Sequence, residues 1–491
     1  MSDEQAPSTD HEAPEGASSR GTWDGPSGPI HYTAEAGWTV LRKADEPIAE
    51  LFSASYLVEG EGRPVTFVFN GGPGASSAYL HMGAVGPKRV DMPADGSLPT
   101  MPPRLVTNEA SWLPFTDLVF IDPIGTGFSR IIRKDDDKEK ERAGDPKQFF
   151  GIQRDLESIV EFMGRWLSDR DRWGAPVFIA GESYGGYRVG RLARMAQEAG
   201  GIGLNGAILI SPALEVTPLA PTDYDMTGWI DTLPVMALSA AHHGRSRVFG
   251  PDDDAATVMA EAERFATGDY AMFLTRGAAM PDVDRLEVLN RQADLLGLPL
   301  SLIDRAEGRI PIRRFARELL LDERKVVGLY DATVAVTDPF PDRETFLGPD
   351  PTLSGANAAF TTAVNRMLRT EIGVDTNREY MVLSYEVNTE WKVDTPNHAF
   401  APTQGATDDF RYGMALNPHM RAFITHGRHD LVTPYFASDR LRNLMRLDQD
   451  MESRLTVEHF DGGHMFYARE ESRVAFTAAI EAFVAEALTA D

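Results

Sequence analysis

The sequence predicts an α/β architecture built on a mostly parallel sheet, and three observations support this. Short continuous apolar runs recur in the first and last parts of the chain, most of the early ones ending at Gly, Asn, Asp or Ser. Amphipathic helical stretches lie between them. A serine flanked by glycines stands where one of these runs gives way to a helix.

Taken in order, the runs are Tyr56–Val58, Pro64–Asn70, Asp117–Asp122, Pro176–Ala180 and Ala207–Ile210. Two more follow late in the chain, Ala422–Thr425 and Leu455–Glu458. Strands buried on both faces of a parallel sheet read as such unbroken runs. Between them, Leu156, Ile159, Val160, Met163 and Leu167 form one stripe at helical spacing. Asp155, near the start of that helix, suits its dipole. A second helix is expected from about Tyr187 to Ala199, stopped by Gly200-Gly201. A last one carries Phe476, Ile480, Phe483, Val484 and Ala487. This alternation places helices on both faces of the sheet.

Composition bounds the rest. The chain has 491 residues, 42% hydrophobic and 25% charged, ordinary values for a soluble globular protein. With 48 basic and 74 acidic residues the net charge is −26, which repels nucleic acid and anionic membranes, so neither is expected as a partner. The absence of cysteine excludes disulfides, thiolate metal sites and Cys nucleophiles. No apolar stretch is long enough to span a membrane, and the N-terminus lacks the pattern of a secretory leader, so a cytoplasmic location is expected. Residues 1–25, rich in Pro, Gly, Ser and acidic side chains, are expected to be a disordered acidic tail. The charged run Arg133–Lys140 reads as a solvated loop. Residues 26–213 and 416–491 would form the α/β domain. Residues 214–415, mainly helical in pattern, would form a cap inserted into it. The sequence leaves the oligomeric state open.

The chemistry starts at Gly181-Glu182-Ser183-Tyr184-Gly185-Gly186. After a strand and before a helix, G-x-S-x-G is the nucleophile elbow of the α/β-hydrolase fold, although an isolated motif of this kind can be an ordinary glycine-rich turn. Serine needs a base, and the base needs an orienting group. The chain order on this fold is Ser, then Asp or Glu, then His. Asp430 follows one late strand and His464 the next, so Ser183, Asp430 and His464 are the expected triad. A zinc site among His426, His429, His459 and His464 is the competing reading, but it leaves the elbow without a purpose. Ahead of these lies Asn70-Gly71-Gly72-Pro73-Gly74-Ala75-Ser76-Ser77, at the end of an early strand. An N–H of this loop and the one following the nucleophile would form an oxyanion hole. No metal or cofactor is called for.

Together these segments resemble the serine carboxypeptidase family. That family carries N-G-G-P-G-C-S-S, G-E-S-Y-[AG]-G and D-x-P-x-G-x-G-[FY]-S; the counterparts here are Asn70–Ser77, Gly181–Gly186 and Asp122–Ser129. The resemblance implies that Gly72 and Tyr184 supply the oxyanion N–H groups. It further implies that Asn70 and Glu182 hydrogen-bond the terminal carboxylate of a peptide substrate, with residues leaving from the C-terminus. Ala84 stands where the family has a second Glu, and the family's disulfides are absent, which suggests a bacterial-like branch. A general esterase or acyltransferase, or an aminopeptidase similar to proline iminopeptidase, would use the same triad.

Overall fold

The computed structural model describes residues 11–43, 45–132, 146–343, 350–393 and 405–489. Residues 1–10 of the expected tail and the charged run Arg133–Lys140 lie outside them. Ten strands among the described residues form one sheet. From one edge its order is Ala17–Gly25, Gly28–Lys43, Glu46–Leu57, Asp117–Asp122, Val65–Phe69, Val177–Glu182, Gly206–Ile210, Arg421–Gly427 and Leu455–Phe460, with a short strand Arg130–Ile131 on Glu46–Leu57. The first three strands and their junction with Asp117–Asp122 are antiparallel; from there onward every pair is parallel.

Register brings the strand ends together. Phe69 is level with Gly181, Glu182 with Ile210, and Ile210 with Thr425. The segments that begin at Asn70, Ser183, Ser211 and Arg428 therefore leave the sheet at the same end of its strands, joined there by the turn after Phe460.

Side chains divide between the two faces with the strand period of two. Val68, Phe120, Phe178, Ile208 and Phe423 enter one core, which the last helix, Glu470–Thr489, covers with Phe476, Ile480 and Phe483. Phe67, Val119, Ile179, Leu209 and Ile424 enter the other, covered by helices Ile152–Asp169 and Tyr184–Glu198. The expected α/β-hydrolase sheet with helices on both faces is observed.

The N-terminus differs from expectation. Of the tail predicted to be disordered, Ala17–Gly25 is an edge strand, paired residue by residue with Gly28–Ala36 around a Gly25–Gly28 turn. Trp23 is 2% exposed and its indole donates to the Asn108 carbonyl at 2.7 Å. A backbone ladder and one buried indole offset the ordering entropy that composition alone suggested would win.

The segment between Ile210 and Arg421 is shared between cores. Helix Thr227–His242 and the helices from Ala255 to Glu318 build a third core, which Leu431 and Tyr435 join from the sheet side. Helix Leu353–Asn365 instead packs into the core beneath Glu470–Thr489, and Thr407–Leu416 into the one beneath Tyr184–Glu198. No helix among the described residues is long and apolar enough to cross a membrane.

The hairpin carries a stability prediction. Trp23→Ala should destabilise the fold by about 3–5 kcal/mol, as large aromatic truncations in cores do, measured by urea unfolding. A chain lacking residues 1–25 should lose at least as much.

Candidate active site

At the end of Val177–Glu182 the chain turns so sharply that Ser183 sits at φ 63°, ψ −123°, a region non-glycine residues rarely enter. The glycines around it are required by contact. A Cβ on Gly181 would lie 2.2 Å from the Gly185 carbonyl oxygen, and one on Gly185 2.7 Å from that of Phe69. Ser183 is half-buried, and the helix beginning at Tyr184 starts directly beneath it.

The loop after Val65–Phe69 lies against this turn. A Cβ on Gly71 would fall 2.4 Å from the Tyr184 amide nitrogen, so only glycine permits the approach. Gly72 and Gly74 have φ of 98° and 101°. Among the described residues, neither the Gly72 nor the Tyr184 N–H donates to a backbone carbonyl. Two fixtures hold the loop. Arg188, fully buried on the elbow helix, donates to the Asn70 carbonyl at 2.6 Å and pairs with buried Asp155 at 2.7 and 3.1 Å. Its guanidinium also lies 4.9 Å from the Tyr184 ring centroid. Asp155 thus serves as the counter-ion of Arg188, beyond the dipole role its position suggests. Asp122 is the second fixture: its Oδ1 accepts from the Ser77 amide at 2.9 Å and the Tyr380 hydroxyl at 3.0 Å. Burial raises its carboxyl to about 7.

Asn70 and Glu182 meet beside Ser183. The Asn70 side-chain amide donates to Glu182 Oε2, its Oδ1 accepts from the Leu80 amide at 3.0 Å, and the Tyr467 hydroxyl donates to Glu182 Oε1 at 2.6 Å. Glu182 is 3% exposed, and burial pushes its carboxyl up to about 7, against the opposing pull of His464, Tyr467 and Asn70. A carboxyl at that value exchanges its proton near neutrality.

His464 and Asp430 come together as expected. The His464 Nδ1 lies 2.6 Å from Asp430 Oδ2. Thr433 completes the cradle: its Oγ1 is 2.6 Å from Asp430 Oδ2 and 3.0 Å from both His464 Nδ1 and the Ser211 carbonyl. The Val432 and Thr433 amides donate to Asp430 Oδ1 at 2.8 and 3.1 Å. With Nδ1 engaged by a carboxylate, Nε2 is left as the basic nitrogen. Burial works against the charged imidazole, but Asp430, its hydrogen bond and Glu182 outweigh it, and His464 is raised above the ordinary histidine value. No hydrogen bond joins Ser183 Oγ to the ring among the described residues; such bonds are often long without substrate. The Tyr330 ring packs edge-on against His464 at 5.1 Å.

The other histidines go elsewhere. His426 contacts the Thr433 carbonyl at 3.0 Å and Ser438 Oγ at 2.8 Å, His459 lies 3.1 Å from Asp439, and His429 is 3.5 Å from Ser239 Oγ. Sequence reasoning missed Thr433, Tyr467, Arg188 and Tyr330. Thr433 and Tyr467 lie three residues after Asp430 and His464, a spacing that gives no direction by itself.

Comparison with known proteins agrees with the motif assignment. Residues 50–217 match the family model described as serine carboxypeptidase. Serine carboxypeptidase-like 36 of Arabidopsis thaliana is 26% identical over 189 residues, 38% of this chain and 36% of that protein. The pheromone-processing carboxypeptidase kex1 of Schizosaccharomyces pombe is 31% identical over 185 residues, 37% of this chain and 32% of that protein. The chain thus spans about a third of the length of these curated relatives. Among solved structures, proline iminopeptidase from Mycobacterium smegmatis aligns with a TM-score of 0.36 and 14% identity, over 92% of this chain and 100% of that one.

The Arg188–Asp155 pair yields a test that needs no substrate. Arg188→Met should destabilise the protein by about 3–5 kcal/mol, because it removes the charged partner of a buried carboxylate. Adding Asp155→Leu should recover much of the loss, as read by urea unfolding; a double variant no more stable than the single one would show that the pair is not the cause.

Over residues 50–217 this chain carries the serine carboxypeptidase pattern, set on an α/β-hydrolase sheet.

Proposed function

We propose that the chain is a serine-type carboxypeptidase, releasing residues from the C-terminus of peptides through an acyl-enzyme. The observation that carries this reading is Glu182. A carboxyl group directly before a nucleophile is a poor neighbour for an anionic substrate unless it is neutral. Buried, held by Asn70 and Tyr467 and raised to about 7, it can keep a proton and donate to a terminal carboxylate.

In this reading Ser183 Oγ attacks the last peptide carbonyl while His464 Nε2 takes its proton. The N–H groups of Gly72 and Tyr184 stabilise the oxyanion. His464 then gives the proton to the departing amine, so the C-terminal amino acid leaves and the shortened peptide stays as an ester on Ser183. Water, deprotonated by His464, hydrolyses that ester. Asp430 and Thr433 keep the ring in the required tautomer throughout. The segment 214–415 acts as a cap. In support, residues 218–232 and 310–313 face 431–441 across a cavity at the sheet edge.

A second reading is a general serine hydrolase on the same triad. It draws on Ala84, buried in the turn Leu80–Val85, which leaves Glu182 without the second carboxyl usual in the family.

The triad is tested by substitution. Ser183→Ala and His464→Ala should each abolish turnover, with the double variant losing little more, since such residues act as a unit. Appreciable turnover by a pure Ser183→Ala sample would exclude Ser183 as nucleophile.

The pH dependence separates the two readings. Glu182 is protonated below about 7 and ionised above it, so KM for a peptide with a free C-terminus should rise as pH passes upward through that value. His464 must be neutral, so kcat should fall as pH drops through its raised value. A C-terminal amide or ester should show the kcat profile without the KM rise. Glu182→Gln, able to donate at any pH, should flatten KM. A pH-independent KM for free-acid peptides in the wild type would favour the general hydrolase.

A further inference from the structure

The segment Tyr380–Trp391 passes over the loop that follows Val65–Phe69, and burial at its two ends sets its course. Tyr380 and Val382 enter the core beneath Glu470–Thr489, whereas Val387 and Trp391 pack into the one beneath Tyr184–Glu198. A segment buried on opposite faces of a sheet must cross the strand ends between them. There it is bonded to the Asn70–Ser77 loop, mainly through main chain. The Ser76 amide donates to the Val382 carbonyl at 3.0 Å, and the Ser384 amide to the Gly74 carbonyl at 2.7 Å. The Asn388 side-chain amide donates to the Pro73 carbonyl at 3.1 Å. A Cβ on Gly74 would fall 2.5 Å from the Ser384 carbonyl oxygen, so the two backbones are in contact.

The motif Asp122–Ser129, which the triad does not use, fastens the start of this strap. Gly127 and Met381 exchange both backbone hydrogen bonds, at 2.8 and 3.1 Å. The Phe128 ring meets the Tyr380 ring edge-on at 4.9 Å. The Tyr380 hydroxyl donates to Asp122 Oδ1, which also accepts from the Ser77 amide. At the other end, the Trp391 ring stands edge-on to the Tyr184 ring at 5.2 Å. The strap thus touches the surroundings of both expected oxyanion donors, Gly72 and Tyr184.

These bonds reach the Gly72 N–H through one rigid unit. The Gly71–Gly72 peptide is planar, with its C=O and N–H pointing opposite ways. Its carbonyl accepts from the Ala75 amide at 3.1 Å, and Ala75 is held between the two strap bonds at Gly74 and Ser76. Fixing Ala75 therefore aims the Gly72 N–H. We propose that the strap Tyr380–Trp391 positions the oxyanion hole, with Asn388 and Tyr380 as positioning residues that act on the Gly72 N–H, the first through Pro73 and the second through Asp122 and Ser77. Part of the segment between Ile210 and Arg421 thereby sets the rate at Ser183 without touching the substrate. This rests on the serine hydrolase reading of Ser183 and holds whichever acyl substrate is cleaved.

The test compares Asn388→Ala, Asn388→Asp and Tyr380→Phe with the wild type, all as full chains. Three probes are used: N-acyl dipeptides, N-acyl amino acid p-nitrophenyl esters and a peptide boronic acid. The boronate adduct on Ser183 places an oxygen where the oxyanion forms, so its Ki reads the hole itself. Neither Ki nor KM depends on how much of a sample is folded. Loss of a whole oxyanion donor costs about 10²–10³ in kcat, so a donor only misaimed should cost about tenfold. The expected result is a fall of about tenfold in kcat for the dipeptides with KM unchanged, the mark of an interaction made only in the transition state. The kcat/KM for the esters should fall, and Ki rise, by the same factor. Asn388→Asp, isosteric but without a donor when ionised, should lose as much as Asn388→Ala. A raised KM with kcat intact would make Asn388 a peptide contact, and an unchanged Ki would make the strap structural only; either result overturns the proposal. Esters hydrolysed beside uncleaved dipeptides would remove the carboxypeptidase reading, and the esters and Ki would still decide this one. A wild type that turns over neither series would overturn the hydrolase reading and this one with it.

Discussion

The reactive edge depends on how closely two backbone segments approach each other. The elbow at Ser183 and the loop at Asn70–Gly74 are in backbone contact, with no side chain between them. Gly71 touches the Tyr184 amide, and Gly185 touches the Phe69 carbonyl. A methyl group at either position would force the two segments apart. Because the contact is made by main chain, its geometry is fixed by the sheet beneath, where Phe69 is level with Gly181. Rigid neighbours then hold it from both sides. Arg188 reaches from the elbow helix to the Asn70 carbonyl, and Asp122 binds the far end of the loop through Ser77. The strain at Ser183 persists because this packing over-determines it.

The same packing gives the ionisable groups their character. Glu182 and His464 are both almost wholly buried, yet they shift for different net reasons. For Glu182 the pull of His464 and of its hydrogen-bond donors falls short of the desolvation, so its neutral form gains. His464 faces a carboxylate at 2.6 Å, and that charge overrides the same desolvation. One burial environment thus yields an acid and a base side by side, the arrangement from which acid–base chemistry at neutral pH is built.

Much of this was legible in the sequence, because the relevant signals are local. The apolar runs at 65–69, 117–122, 177–180, 207–210 and 422–425 need only the knowledge that both faces of the sheet are covered. Asp430 and His464 follow from chain order on that fold. What escaped depends on contacts distant in sequence. Ala17–Gly25 has the composition of a solvated tail, and only its partner Gly28–Ala36 makes it a strand. Tyr467 finds Glu182 from 285 positions away, and Arg188 finds Asn70 from 118. The divided loyalties of residues 211–420 were equally hidden, since helical periodicity reports that a face is buried but not against what.

That division has a mechanical consequence. The material over the sheet edge is fastened at several points. Thr407–Leu416 is embedded in one core, Leu353–Asn365 in the opposite one, and Tyr435 and Leu431 reach from the sheet side into the third. Swinging such a layer open as a rigid flap would tear close-packed apolar surface at each anchor, and packed interiors resist continuous deformation. Any displacement of Leu353–Asn365 or Thr407–Leu416 would therefore have to disturb a core of the sheet as well.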